Sequence, residues 1–390
     1  MREWRGGGDG VRRAMACGVL VAVGLALGEV HAGAQDASGT TPPGVMFQER
    51  LYAGVGLVHD NDNLPHPGNT LRDDNYSAAY ELRVHGRFVE AWRLTAPLAL
   101  LDRVTGVRRG HARGQRRFHA IRAIGLIYTP DDIRSSDVQT DDRPYASLMA
   151  VTVSRASVSG ESLDRLWTSA FSIGMLGLDL PGDLQRFTHR TRRWMTGRRV
   201  PVDPAGWDNQ ISSGGEPTAL YRVGYRRRLA GDGATGRRKH WELVGGADGQ
   251  AGYSVSASAE VAARVGAFTS EFWEFSRGVG GSAAGPQARV EPGVPRWDVM
   301  AFAVVRPRVV AYDALLQGQF RRSVFTVPVR HVLAEWEGGL GLSFPVGPQQ
   351  VQLVVQFAQG RSADYVGPRA QPYTWGTVGL FLSTRGSGGR

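Results

Sequence analysis

The residues best equipped for chemistry fall in three places. The first is a pair of polar runs. His59-Asp60-Asn61-Asp62-Asn63 closes one strand-like segment, and Asp73-Asp74-Asn75-Tyr76-Ser77 opens the next. Oxygen donors at this density suit a hard cation such as Ca²⁺. The spacing is not that of an EF-hand, and Asp/Asn runs commonly build turns, so composition alone favours turns over metal. The second is His189, with Gln185 one helical turn before it. A neutral imidazole can accept a proton from water near neutral pH, and the amide could orient it or the substrate. The third is arginine-rich: Arg134 in the loop 131–145, and Arg186, Arg190, Arg192, Arg193, Arg198 and Arg199 further on. Guanidinium groups dock phosphates, so Arg134 and Arg192 could meet an anionic headgroup. A solvated helix face is the plain alternative for the run. The sequence holds no Gly-x-Ser-x-Gly elbow, Walker loop or His-Glu-x-x-His, which leaves a serine hydrolase or zincin without motif support.

These groups need a scaffold. His189 sits in 183–197, where Leu184, Phe187, Thr191, Trp194 and Met195 form an apolar stripe at helical spacing and Asp183 can cap the N-terminus. Gln185, His189 and Arg192 share a neighbouring face. Most of the chain instead alternates in short segments separated by Gly, Pro, Asp or Asn. These are 49–58, 76–88, 92–104, 117–129, 144–157, 165–176, 217–229, 240–253, 255–268, 297–312, 322–344 (long enough for two strands), 350–359 and 373–383. In 76–88, Tyr76, Ala78, Tyr80, Leu82 and Val84 share one face, and Ser77, Ala79, Glu81, Arg83 and His85 the other. A barrel wall between lipid and water needs this dyad, though a soluble sandwich shows it too.

Composition and targeting tilt the choice. Arg2, Arg5, Arg12 and Arg13, an apolar run from Ala14 to Leu27, and Ala32-Gly33-Ala34 read as an export signal over 1–34. Residues 35–47 then form an N-terminal extension. The single cysteine, Cys17, lies in that signal, so a disulfide framework and a Cys-ligated metal are excluded. Glycine, at 52 of 390 residues, argues against a plain helical bundle. Aromatics near segment ends (Tyr52, Trp92, Tyr128, Tyr145, Trp241, Tyr312, Trp336, Tyr373 and Trp375) suit interfacial girdles. The expectation is an all-β, transmembrane antiparallel β-barrel of about 12 strands over 48–383, with a short helix near the active site. Residues 269–296 form a long loop, and 384–390 a disordered tail. The net charge of +10 is almost wholly arginine, with Lys239 the one lysine. Export and the lack of any nucleic-acid module argue against a nucleic-acid partner.

In order and spacing, a set of short motifs resembles the outer-membrane lipid A 3'-O-deacylase family, called LpxR. The carriers are Asp60-Asn61-Asp62, Asp74-Asn75-Tyr76-Ser77, Ile127-Tyr128-Thr129-Pro130, Asp142-Arg143-Pro144-Tyr145, Gln185-x-x-x-His189, Pro204-Ala205-Gly206-Trp207-Asp208-Asn209-Gln210 and Tyr312-Asp313-Ala314-Leu315-Leu316-Gln317-Gly318. The resemblance implies a twelve-stranded barrel in the Gram-negative outer membrane, its site between the outer wall and a short helix. It implies lipid A, or lipopolysaccharide, as substrate and Ca²⁺ as cofactor. His189 would be the general base. Asn61 and Asp62 would support the calcium and the catalytic centre. Ser77 stands where the family usually has threonine, keeping the hydroxyl and losing the methyl. Arg134 is the nearest cation to a family lysine. A phospholipase or a deacylase of other specificity, and a non-enzymatic barrel or pore, are the competing readings.

Overall fold

The computed structural model describes residues 49, 52–62, 64, 75–187, 204–233, 237–275, 279, 297–347 and 349–384. Twelve antiparallel strands close into a barrel, each paired with its sequence neighbours and the last with the first. They are β1 (Gly54–Asn61), β2 (Asn75–His85), β3 (Arg116–Thr129), β4 (Ala146–Ser159), β5 (Arg165–Leu176), β6 (Glu216–Gly231), β7 (Lys239–Gly252), β8 (Ser254–Phe268), β9 (Asp298–Asp313), β10 (Val332–Val346), β11 (Gln349–Arg361) and β12 (Tyr373–Thr384). The start of β1 and the end of β12 lie at one rim, and Asn61 at the other.

The two-residue period divides every strand between lumen and exterior. Arg122, Arg222, Asp248, Glu260, Arg306 and Glu335 line a lumenal cavity of about 270 Å³. Charges there are paired: Arg306 lies 3.0 Å from Glu260, 3.2 Å from Glu335 and 2.9 Å from Glu337, and Arg361 2.8 Å from Glu335. Outside, Leu57, Val261, Val265, Val299, Val305, Val309 and Leu340 leave half or more of their surface uncovered. So continuous an apolar band would be a liability in water; against acyl chains it is the solvated face. None of the described helices is long and apolar enough to span a membrane.

The terminal rim is closed from within. Phe272 and Trp273 pack against Phe118, Ala156, Leu166 and Val244, and Phe275 against Met300, Phe302, Val304 and Phe381. Asp298 anchors this segment by accepting from the amides of Thr269 (2.8 Å) and Ser270 (3.2 Å). Lys239, fully buried, meets Glu271 at 2.8 Å. The described start of the expected 269–296 loop is therefore a lumenal plug.

Three further expectations are corrected. Segment 92–104 is not a strand. It forms helix α1 (Thr95–Val104), followed by α2 (Arg108–Ala112). Leucine and alanine dominate it, and Leu98 and Asp102, four apart, are its buried face. Segment 322–344 contributes one strand, β10; ahead of it Val327 and Val329 pack with Leu316 and Tyr365 over the rim. Of the expected girdle aromatics, Tyr128, Tyr373 and Trp375 turn into the lumen, whereas Trp336, paired with outward-facing Val305, stands exposed with Trp241 and the unanticipated Trp297.

A plugged lumen predicts an electrically silent barrel. Planar-bilayer recordings should show no steady conductance. Trp273→Ala should open a measurable leak and cost about 3–5 kcal/mol of stability, read as a lower midpoint in denaturant.

Candidate active site

The non-terminal ends of β1, β2 and β3 bring the first polar runs together. Alternation sends Asp60 into the lumen, where it accepts from Thr377 Oγ1 at 2.8 Å. Asn61 takes the opposite face. A bulge between Tyr76 and Ala78 frees Ser77 from the ladder. Bulges re-aim a side chain in this way. Asn61 Nδ2 donates to the Ser77 carbonyl at 2.9 Å. Ser77 Oγ lies 2.5 Å from Thr129 Oγ1, and both residues are buried. Asp62 follows directly and is buried as well. His59 shares the outward face, stacked on Tyr80 at 4.5 Å, with Nδ1 3.2 Å from the Ala79 carbonyl.

A helix lies over this part of the wall. Residues 180–187 are helical and form α3. It begins before Asp183, which is not its cap; Asp183 instead sits in the first turn and pairs with Arg186 at 2.6 Å. Gln185 is buried. Its Oε1 accepts from Trp207 Nε1 at 3.3 Å, while its Nε2 has no hydrogen-bond partner among the described residues. A buried amide NH₂ without an acceptor is costly and marks a place for a ligand or water.

Trp207 fastens α3 to the barrel. It packs with Ala78, Ile127 and Tyr145, and its ring lies 5.0 Å from that of Tyr145. Gly182 allows the close approach: a Cβ there would stand 2.9 Å from the Trp207 ring. The loop between β3 and β4 braces the same segment, with Ala205 N donating to the Ile133 carbonyl at 2.9 Å. Arg134, next in that loop, is exposed on the rim. Asp142 and Arg143 are structural. Asp142 accepts from Tyr365 Oη at 2.8 Å, and the Arg143 guanidinium covers the Tyr128 ring at 4.1 Å. Asp313 likewise caps the short helix α4 (Ala314–Gln317).

Asn61, Asp62 and Ser77 thus share one strand-end region, with α3 carrying Gln185 fastened to the adjoining wall. His189 and Arg192 lie outside the described residues. Thr129 and Trp207 were not expected as site residues; both stand inside recognised motifs, but nothing in sequence reveals the cross-strand hydroxyl pair or the indole bond to Gln185. Among the described residues no group of three or more His, Cys, Asp or Glu is disposed around a metal. Asn61 and Asp62 fit a hard cation by donor type, with carbonyl, water or substrate oxygens needed to complete its shell.

The profile of a family described as outer membrane protein LpxR matches residues 19–383. Among solved structures, LpxR from Salmonella typhimurium superposes with a TM-score of 0.60 at 14% identity, covering 85% of this chain and 100% of that one. The β domain of the Bordetella autotransporter BrkA reaches a TM-score of 0.41 at 9% identity, over 86% of this chain and 100% of that one. No curated protein matches the sequence.

If Trp207 seats α3 as described, Gly182→Val should loosen it alone. Hydrogen exchange across 180–187 should accelerate while barrel strands keep their protection and the thermal midpoint barely moves.

Proposed function

The chain belongs to the LpxR family of outer-membrane proteins, and on that premise we propose that it is an ester hydrolase of the Gram-negative outer membrane that removes the 3'-linked acyloxyacyl group of lipid A. One observation carries the reading: the polar cluster of Asn61, Asp62 and Ser77 stands by the outer wall, next to a helix whose Gln185 amide has no partner among the described residues, rather than inside the plugged lumen. A water-soluble substrate would be served by the lumen. A lipid whose acyl chains stay in the bilayer is served from outside.

In this reading an imidazole nitrogen of His189 takes a proton from water as the water oxygen attacks the ester carbonyl carbon. The carbon–oxygen bond to the sugar then breaks, and the proton passes from the imidazolium to the departing 3'-oxygen. Asn61 and Asp62 would hold Ca²⁺, which when bound supplies positive charge to the developing oxyanion. Asn61 is already fixed through the Ser77 carbonyl. Ser77 and Thr129 make a rigid hydroxyl pair behind it. Gln185 positions substrate or base through its side-chain amide, and Arg134 and Arg192 receive lipid A phosphates.

Purified protein in detergent should release fatty acid from lipid A, and mass spectrometry should show loss of the 3' acyloxyacyl mass. His189→Ala should reduce the rate by about 10²–10⁴-fold; full activity in that variant would refute the mechanism. Chelation should stop turnover, and added Ca²⁺ should restore it. Ser77→Thr should retain activity where Ser77→Ala loses it. Faster release from phospholipid than from lipid A would favour the phospholipase reading.

A further inference from the structure

A second polar site occupies the outer wall at the opposite, terminal rim. The link from β2 to β3 folds back along the barrel exterior. Val89 and Leu98 bury themselves with Val153, flanked by Ile121, Phe171 and Tyr221. Asp102 of α1 accepts from Tyr221 Oη (2.9 Å) and Ser169 Oγ (3.0 Å). His111 of α2 bridges Ser157 (2.8 Å) and Ser169 (3.0 Å). Gly110 brings the α2 backbone onto Trp167, where a Cβ would stand 2.7 Å from the ring. The helices are therefore held by specific contacts, and with the wall they enclose a cleft of about 260 Å³.

Its lining is strongly basic. Arg108, Arg117 and Arg155 face one carboxylate, Glu90, with His111 and His119 behind. Arg155 is engaged by Asp102 at 3.4 Å. Arg108 and Arg117 are exposed and, among the described residues, have no carboxylate partner. Desolvation, reinforced by Arg155, pushes His111 down to about 3 and keeps it neutral.

The depth of the cleft is set by register. Arg117 pairs with Ser157, Ser157 with Trp167, and Trp167 with Tyr225, in one row across four strands. The Trp167 and Tyr225 rings lie 4.8 Å apart. Aromatics with a polar edge settle at headgroup level, so Arg117 stands there too. Leu100 and Val104, one turn apart on α1, are 59% and 75% exposed and suit the acyl layer beside it. An even-stranded bacterial barrel leaves both termini in the periplasm, which places this rim in the phospholipid leaflet.

We infer that this cleft is a binding site for the phosphodiester of an anionic phospholipid from the periplasmic leaflet. The guanidinium groups of Arg108 and Arg117 grip the phosphate, and its acyl chains run along Leu100 and Val104. This site is separate from the rim that bears Asn61 and Ser77, and does not depend on what that rim hydrolyses.

Full-length protein in nanodiscs of phosphatidylglycerol and phosphatidylcholine, followed by native mass spectrometry, tests it. Phosphatidylglycerol should co-purify in preference to phosphatidylcholine. Arg108→Gln with Arg117→Gln should weaken that retention on the order of tenfold or more, while Arg165→Gln, at the same rim, should leave it unchanged. Heat-modifiable gel mobility verifies that each barrel is folded. Equal retention of both lipids, unaltered retention in the double variant, or saturable binding of inorganic phosphate alone at this cleft would overturn the proposal.

Discussion

Hydrocarbon offers no partner to an unpaired peptide group, and the seam between β1 and β12 is where this chain meets that demand. The ladder from Gly54↔Ser383 to Asn61↔Gly376 leaves neither strand an open edge. Gly56 is required there, since any Cβ would collide with the Phe381 ring. Once the wall closes, much else follows. Arginines and carboxylates must share the lumen and neutralise one another. Valines and leucines must face out. Polar groups proposed to meet lipid must interrupt the outer face, and among the described residues those so proposed lie near its rims.

Much of this was legible in the residues. The partial alternation of 255–268 and 297–312 reappears as strands β8 and β9, with buried and more exposed positions largely taking turns. The Asp60-Asn61-Asp62 run was legible as chemistry, but the face each side chain takes was not. Period two sends Asp60 to Thr377 and Asn61 to Ser77, and the bulge that takes Ser77 out of the ladder has no local signature. Segment 92–104 misled because apolar residues are dense enough to satisfy either period; burial of Leu98 with Asp102 chose the helix. The aromatic pattern misled for a different reason. Tyr373 and Trp375 lie near a strand end, as a girdle would, yet alternation turns them inward.

The outer wall thus hosts helices at both ends, attached by the same device. At one rim Gly182 lets α3 lie on Trp207; at the other Gly110 lets α2 lie on Trp167. In each case an indole supplies a broad flat seat, and a missing side chain lets a helix backbone settle on it. Polar side chains beneath, Gln185 in one and His111 in the other, then fix the helix against sliding. A barrel strand alone cannot build a concave site on its convex side; a helix laid across it can.

The plug also changes what reagents can find. Lys239, the chain's one lysine, is sealed beside Glu271. Apart from the N-terminus, the folded protein therefore offers no primary amine to acylating dyes, crosslinkers or lysine-directed proteases. Any such modification reports that the plug has left the barrel, giving a built-in marker of its opening that needs no engineered tag.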